Sequence, residues 1–316
     1  MLIYVAKRIA VWVPSIFLIL LAVYALAFFG GGDPIRLIFL RAPGDVAYDP
    51  ARIAAIREDA GLNRPFIIQY LSYLGNLFQG DWGNSLVSGR SVRKMIVAAM
   101  PVSMQLGLAT IVVTAIVAIP LGVYAALRQN SAIDRVIVTS SLFLWAIPPY
   151  VAGPLLMVAV IVILPTGGVP FGWGGVFDIR VVLPLTVLAF QPIALIVRQT
   201  RAAVIEVLNE DFVRTAHAKG LPSRVIVFKH ILRPVLTPVV TQLGLIMITI
   251  INGAIFVELV FGLPGLGRLT VESTINADYP VILAITLIGA VLVMTANLFV
   301  DVIYPLLDPR ARAGGR

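Results

Sequence analysis

The sequence predicts an all-α protein, a polytopic bundle of six membrane-spanning helices. Two observations carry this. Of its 316 residues, 59% are hydrophobic and only 13% charged, against roughly a quarter charged in soluble domains, and the mean hydropathy is +0.97. So few charges cannot cover the surface of a soluble protein of this size, whereas lipid wets apolar side chains without cost. The apolar residues also fall into six runs, at 9–29, 98–127, 136–164, 181–197, 235–260 and 281–307. Each is long enough for the ~17–25 residues that cross the hydrocarbon.

The first run carries no charge and inserts readily. Lys7 and Arg8 precede it and Ala25-Leu26-Ala27 resembles a signal-peptidase site, but the apolar core of a signal peptide is only about 7–15 residues. It is therefore read as a retained span. Later runs contain Pro101, Pro120, Pro148, Pro149, Pro154, Pro184 and Pro192. In water these would end helices; inside a bundle, neighbouring helices and hydroxyls satisfy the freed carbonyls. They are read either as tolerated kinks or as bends that shape a pathway.

Orientation follows from Lys and Arg in short loops. With the N-terminus in the cytoplasm, the inner segments hold 14 basic residues and the two short outer loops hold only Arg180 and Arg268. The other eight lie between Arg36 and Lys94, in a segment long enough to escape the rule. Both termini are predicted to be cytoplasmic, and the net charge of +8 reports membrane orientation rather than nucleic-acid binding.

Three segments outside the bilayer stand out. The first, 30–97, follows the N-terminal helix, and the five-helix remainder of the chain covers 98–316. It holds a helical stretch at 51–59 introduced by Asp49-Pro50 and stopped at Gly61. A second stretch, 66–78, is rich in aromatic and aliphatic residues and is read as lying on the membrane surface or packing on the bundle; turns follow at Gly80, Gly83 and Gly89, and the whole reads as a small folded cap outside the membrane. The second segment, about 200–234, is polar, basic and on the inner side. Asn209 reads as an N-cap, with Glu210 and Asp211 in the first turn. Phe212-Val213-Arg214-Thr215-Ala216-His217-Ala218-Lys219 reads as a short helix, Gly220 as its C′ residue, and Pro222 as a stop. A further short helix, over 223–232, is predicted to lead into the fifth span. The segment reads either as an ordinary basic loop or as a docking element. The third, 258–280, contains Phe261-Gly262-Leu263-Pro264-Gly265-Leu266-Gly267-Arg268. It lacks G-x-x-x-x-G-K-[ST] and a preceding strand, so it is read as a partly inserted apolar loop.

No enzyme chemistry is legible. There is no cysteine and there are two histidines, and the G-x-S-x-G and H-E-x-x-H patterns are absent. Ionisable residues within the spans are few: Arg198 and Asp301 near inner ends, and Glu258 near an outer end, either functional or capping the amides of the following loop. Gln105, Gln191, Asn252 and Asn297 read either as pathway lining or as interhelical hydrogen-bonding groups. A secondary transporter would show internal repeats and midplane charges, and neither is seen.

The chain resembles the permease subunits of the dipeptide and oligopeptide ABC importers, a family that also includes nickel and glutathione importers. Asp211-Phe212-Val213-Arg214-Thr215-Ala216-His217-Ala218-Lys219-Gly220-Leu221 looks like that family's form of the cytoplasmic loop of import permeases. The glycine is kept, the acidic residue of the general form is not, and His217 stands where this branch often has arginine. The match continues through Gly61-Leu62-Asn63-Arg64-Pro65, Gly80-Asp81-Trp82-Gly83-Asn84-Ser85, Val257-Glu258-Leu259-Val260-Phe261, Pro264-Gly265-Leu266-Gly267-Arg268, Asp278-Tyr279-Pro280 and Leu307-Asp308-Pro309-Arg310. It covers nearly the whole chain in order.

The resemblance implies a type I ABC importer permease fold in a bacterial inner membrane. It implies a non-catalytic subunit forming half of a pathway for peptides, with nickel, glutathione or another small solute as the alternative cargo. The implied partners are a second homologous permease, two ATPase subunits that hold the ATP and magnesium, and an extracytoplasmic substrate-binding protein; no cofactor is expected in this chain. On this reading Asn209, Phe212, Arg214, Ala216, His217, Lys219 and Gly220 couple to an ATPase. Glu258, Phe261, Pro264, Gly265, Gly267 and Arg268 belong to an outer gate or to the contact with the binding protein.

Overall fold

The computed structural model describes residues 2–30, 58, 63–163 and 171–307. Among them the chain is helical. The helices are α1 (Leu2–Gly30), α2 (Phe66–Phe78), α3 (Val92–Leu127), α4 (Ala132–Ala146), α5 (Pro149–Ile163), α6 (Val182–Leu208), α7 (Asp211–Ala218), α8 (Ser223–Val225), α9 (Leu232–Phe261), α10 (Leu266–Ile275) and α11 (Tyr279–Leu307). A 3-10 turn, Ile179–Val181, leads into α6, and a π turn, Ile226–Ile231, joins α8 to α9. Asn84 and Ser91 form an isolated antiparallel bridge. The helix expected over 51–59, its stop at Gly61, the side chains of Asn252 and Asp301, and Asp308-Pro309-Arg310 lie outside the described residues.

Among the described residues, five helical stretches are long and apolar enough to cross a membrane by themselves. The run at 136–164, expected as one span, passes the same test as a bent pair of helices rather than as one continuous helix. It is divided between α4 and α5, bent by 103°. The cause is local. A residue before proline is pushed out of the α region, and Ile147, before Pro148, takes φ −88° and ψ 115°. The Pro148 carbonyl then accepts from the Val151 and Ala152 amides, restarting the helix at Pro149, a position where a missing N–H costs nothing. Pro14, Pro154, Pro192 and Pro238 by contrast sit inside helices. The helix expected over 223–232 does lead into the next span, but through a π turn: α8 and the turn run without interruption into α9.

The chain forms two compact units, one from 1–102 with 264–294, the other from 103–263 with 295–316. In the first, Leu20 of α1 is buried with Tyr70 and Leu74 of α2, and Leu287 of α11 packs against them. A second cluster joins Val92, Ile96 and Ala99 of α3 to Leu266 of α10 and Val281 and Ala284 of α11. Asp278, buried just before α11, accepts from the Ser85 hydroxyl and, at 3.0 Å, from the Leu86 amide.

In the second unit α6 is the central helix. Val187, Leu188, Ala189, Ala194, Ile196, Val197, Ala203 and Val204 are all buried, and α6 packs against α4, α5 and α9. A helix apolar around most of its circumference is a core helix. It meets α3 closely at Gly122, where a Cβ would lie 2.6 Å from Thr200 Cβ and 2.8 Å from the Val197 carbonyl oxygen.

Candidate functional site

The segment after α6 builds a compact projecting element. Asn209 does not start α7, as expected, but ends α6: it is the C-cap residue, and its Nδ2 donates to the Ile205 carbonyl at 3.0 Å. Glu210 takes the extended N-cap conformation instead, φ −73° and ψ 145°. The shift follows from competition between adjacent helices, since α6 continues far enough to claim Asn209. Asp211 opens α7 where the helix dipole favours an anion. Its ion pair with Arg214, 3.6 Å long and highly exposed on both sides, adds little.

Gly220 ends α7 as expected. The Leu221 amide donates to the Ala216 carbonyl at 3.3 Å and the Gly220 amide to the His217 carbonyl at 2.9 Å. This is a Schellman closure, and it places Gly220 at φ +72°. Pro222 then precedes α8 as its N-cap.

The two faces of α7 differ. Val213 and Ala216, three residues apart and so on one face, are buried. Helix α7 packs on the π turn, whose Ile226 and Ile231 are buried as well. Phe212, Arg214, His217 and Lys219 remain exposed, and His217 Nδ1 lies 3.0 Å from the Val213 carbonyl oxygen. Nearby in sequence, Phe228 is 72% exposed and is flanked by exposed Arg224, Lys229 and Arg233. Exposed aromatic side chains rimmed by cations have the composition of an interaction surface.

The helix that carries α7 is clamped. Arg201 of α6 donates from Nε and Nη2 to the two oxygens of Asp134, at 2.6 and 2.8 Å. The Asp134 carboxylate also accepts from the Asn130 amide at 2.9 Å, while Ser131 caps α4 by accepting from the Asp134 amide at 3.2 Å. Sequence reading missed this pair. Ser-x-x-Asp marks the helix start, but nothing local points to Arg201. Arg198, one turn earlier, stacks on Trp145 with its guanidinium carbon 5.6 Å from the ring centroid.

The residues assigned to an outer loop are placed differently from expectation. Glu258 is fully buried in α9, and its Oε1 accepts from the Ser103 hydroxyl at 2.6 Å. Its backbone carbonyl closes the helix, accepting from the Leu263 amide at 2.8 Å. Gly262, at φ +66°, turns the chain there, while Phe261 and Leu263 are buried. Beyond Pro264, which is exposed, the expected loop is helix: Gly265 is the N-cap of α10, Gly267 is buried within it, and Arg268 pairs with Glu272 at 2.6 Å. Gln105, Gln191 and Asn297 lie on α3, α6 and α11, with Gln105 and Asn297 exposed and Gln191 half-buried.

Residues 118–313, a stretch that includes α6, α7 and α9, match the family model described as binding-protein-dependent transport system inner membrane component. The chain belongs to that family. This permease is 39% identical to the oligopeptide transport system permease protein AppB of Bacillus subtilis (strain 168), over 97% of its own length and 98% of that protein's. It is 35% identical to the oligopeptide transport system permease protein OppB of Escherichia coli (strain K12), covering 99% of the permease and 100% of the relative. The di/tripeptide transport system permease protein DppB of Pseudomonas aeruginosa (strain UCBPP-PA14) is 34% identical, at 99% of both lengths. The fold is similar to a chain of the inward facing MetNI methionine ABC transporter, with TM-score 0.59 and 16% identity over 68% of the permease and 97% of that chain. It is also similar to an amino acid ABC transporter chain, with TM-score 0.52 and 14% identity over 67% and 94%. The permease is thus a multi-pass inner membrane subunit of an ABC import system, with the type I importer fold.

Proposed function

We propose that the permease forms half of a pathway for peptides, driven by ATP hydrolysed elsewhere. A second homologous permease forms the other half. Two ATPase subunits, which hold ATP and magnesium, bind on the cytoplasmic side, where both termini also lie. An extracytoplasmic binding protein delivers the peptide. The permease contributes no catalytic residue.

The observation that carries this reading is the division of α7 into a packed face, Val213 and Ala216, and a presented face, Phe212, Arg214, His217 and Lys219. A groove on an ATPase subunit that took Phe212, with acidic or carbonyl groups at its rim for the cations, would move α7 when the nucleotide-bound dimer closes. The clamp between Arg201 and Asp134 would pass that movement into the spans. The peptide cargo is supported by full-length similarity to permeases named for oligopeptides and di/tripeptides. The outer-side role extends to Glu258, Phe261, Pro264, Gly265, Gly267 and Arg268 as part of a gate.

The test is Gly220→Val. At φ +72° a β-branched residue costs roughly 1–2 kcal/mol in backbone strain and tilts α7. Peptide uptake and binding-protein-stimulated ATP hydrolysis should both fall, with the subunit still in the membrane. Full uptake with full stimulation would remove the coupling role.

A further inference from the structure

We propose that α2 is a membrane-embedded helix, its outward face seated against lipid acyl chains in the leaflet around the Gly30 end of α1. Four observations converge on this. First, residues 65–80 contain no Asp, Glu, Lys or Arg; charge returns only at Arg64 and Asp81. A 13-residue helix is too short to span and has the length of a re-entrant or interfacial segment.

Second, α2 lies antiparallel along the half of α1 that ends at Gly30. Phe66 packs against Phe28 and Phe29, Tyr70 and Tyr73 against Tyr24, and Phe78 against Phe17. Helix α1 is long and apolar enough to cross a membrane over Ala10–Gly30, so a neighbour packed along that length shares its surroundings.

Third, the polar groups of α2 that are hydrogen-bonded turn inward. The Tyr70 hydroxyl donates to the Phe17 carbonyl at 2.8 Å, and the Tyr24 hydroxyl donates to Gln69 Oε1 at 3.3 Å. Gln69 Nε2 donates to the Arg64 carbonyl at 2.7 Å. Fourth, beside that packed face runs an apolar stripe, bordered further round by the exposed Ser72 and Asn76. Ile67, Leu71 and Phe78 are 56%, 59% and 77% exposed, and their spacing places them on one side of the helix. Water would leave this stripe hydrated, and burial of large apolar side chains is favoured over that. Lipid is continuous with the exposed Leu18, Leu26 and Phe29 of α1 and satisfies it.

The chain has no cysteine, so single spin labels can be placed directly. Labels at Leu71→Cys and Phe78→Cys, in the full chain reconstituted with its companion subunits in phospholipid vesicles, are compared with Leu26→Cys as a lipid reference. Asn63→Cys and Ser88→Cys, both exposed positions outside α2, serve as aqueous references. The expected ratio of oxygen to nickel-chelate collision rates at both α2 sites is several-fold above the aqueous references and close to Leu26→Cys. Ready collision with the nickel chelate would place α2 in water and overturn the proposal. Immobile labels shielded from both reagents would mean that a protein partner covers the stripe, which overturns it equally.

Discussion

Arg201 and Asp134 are 67 positions apart in sequence and joined by two hydrogen bonds, Nε to Oδ1 and Nη2 to Oδ2. The Asp134 side chain is 4% exposed and that of Arg201 26%. Two ions taken from water depend on each other. Removing one partner leaves a charge with no counter-ion, at about 3–5 kcal/mol for a buried pair.

Asp134→Asn and Arg201→Gln should therefore each destabilise the purified permease by about 3 kcal/mol, toward the lower end because Arg201 is partly exposed. The double substitution Asp134→Leu with Arg201→Met should recover most of that loss. Thermal unfolding in detergent measures all three, and a double variant no better than the singles would show that the hydrogen bond from the Asn130 amide to the Asp134 carboxylate dominates.

Gly122→Ala should destabilise the contact between α3 and α6. The added Cβ would lie 2.8 Å from a backbone oxygen, that of Val197, and backbone cannot rotate away as a side chain does. Overpacking of this kind costs about 1–3 kcal/mol. Gly75→Ala, inside α2 with nothing within 4 Å of its Cβ, is the control and should not lower the unfolding temperature, since Ala in a helix interior is favoured over Gly.

The turn before α6 should be acid-sensitive. The Arg180 guanidinium, and then the Arg180 amide, hydrogen-bond Asp178 and hold its carboxyl at about 2, below the ordinary 3.8. A depressed folded value means that the contribution to stability is complete above pH 3.8 and lost as the pH falls toward about 2. A spin label at Phe177→Cys, fully exposed beside the turn, should become more mobile across that window, and Asp178→Asn should make the mobile state independent of pH.

Phe212→Asp should sever coupling while sparing the fold. Phe212 is 45% exposed, so its replacement leaves no cavity, but a carboxylate cannot enter an apolar groove unpaired. Co-purification of ATPase subunits and peptide-stimulated hydrolysis should both drop, with unfolding unchanged. Normal values of both would exclude Phe212 from the contact.

Orientation is testable with single cysteines. A cysteine at Asn63 should react with an impermeant maleimide from the outside of intact cells, and one at Arg214 only after the inner face is opened. Labelling of Asn63→Cys from the inside alone would reverse the topology.

The six apolar runs, the capped end of α7 at Gly220 and the family itself were legible in the sequence, because each depends on composition or on residues within a few positions of one another. Hydrocarbon selects apolar length, and a left-handed turn selects glycine. The start of α7 was misplaced by one residue because Asn209 suits either end of a helix, and only the length of α6 decided which. The break at Ile147-Pro148 was signalled as prolines, but whether a proline bends or stops a helix depends on what accepts the freed hydrogen bonds.

Tertiary structure alone decided the pairings. Arg201 finds Asp134, Ser85 finds Asp278, and Ser103 finds the buried Glu258, across separations that no local pattern encodes. It also decided that Phe66–Phe78 folds back along α1. Hydropathy says only that a residue avoids water. Which neighbour replaces the water, another side chain or lipid, is a property of the packed chain, because burial is set by all the helices together and not by any one segment.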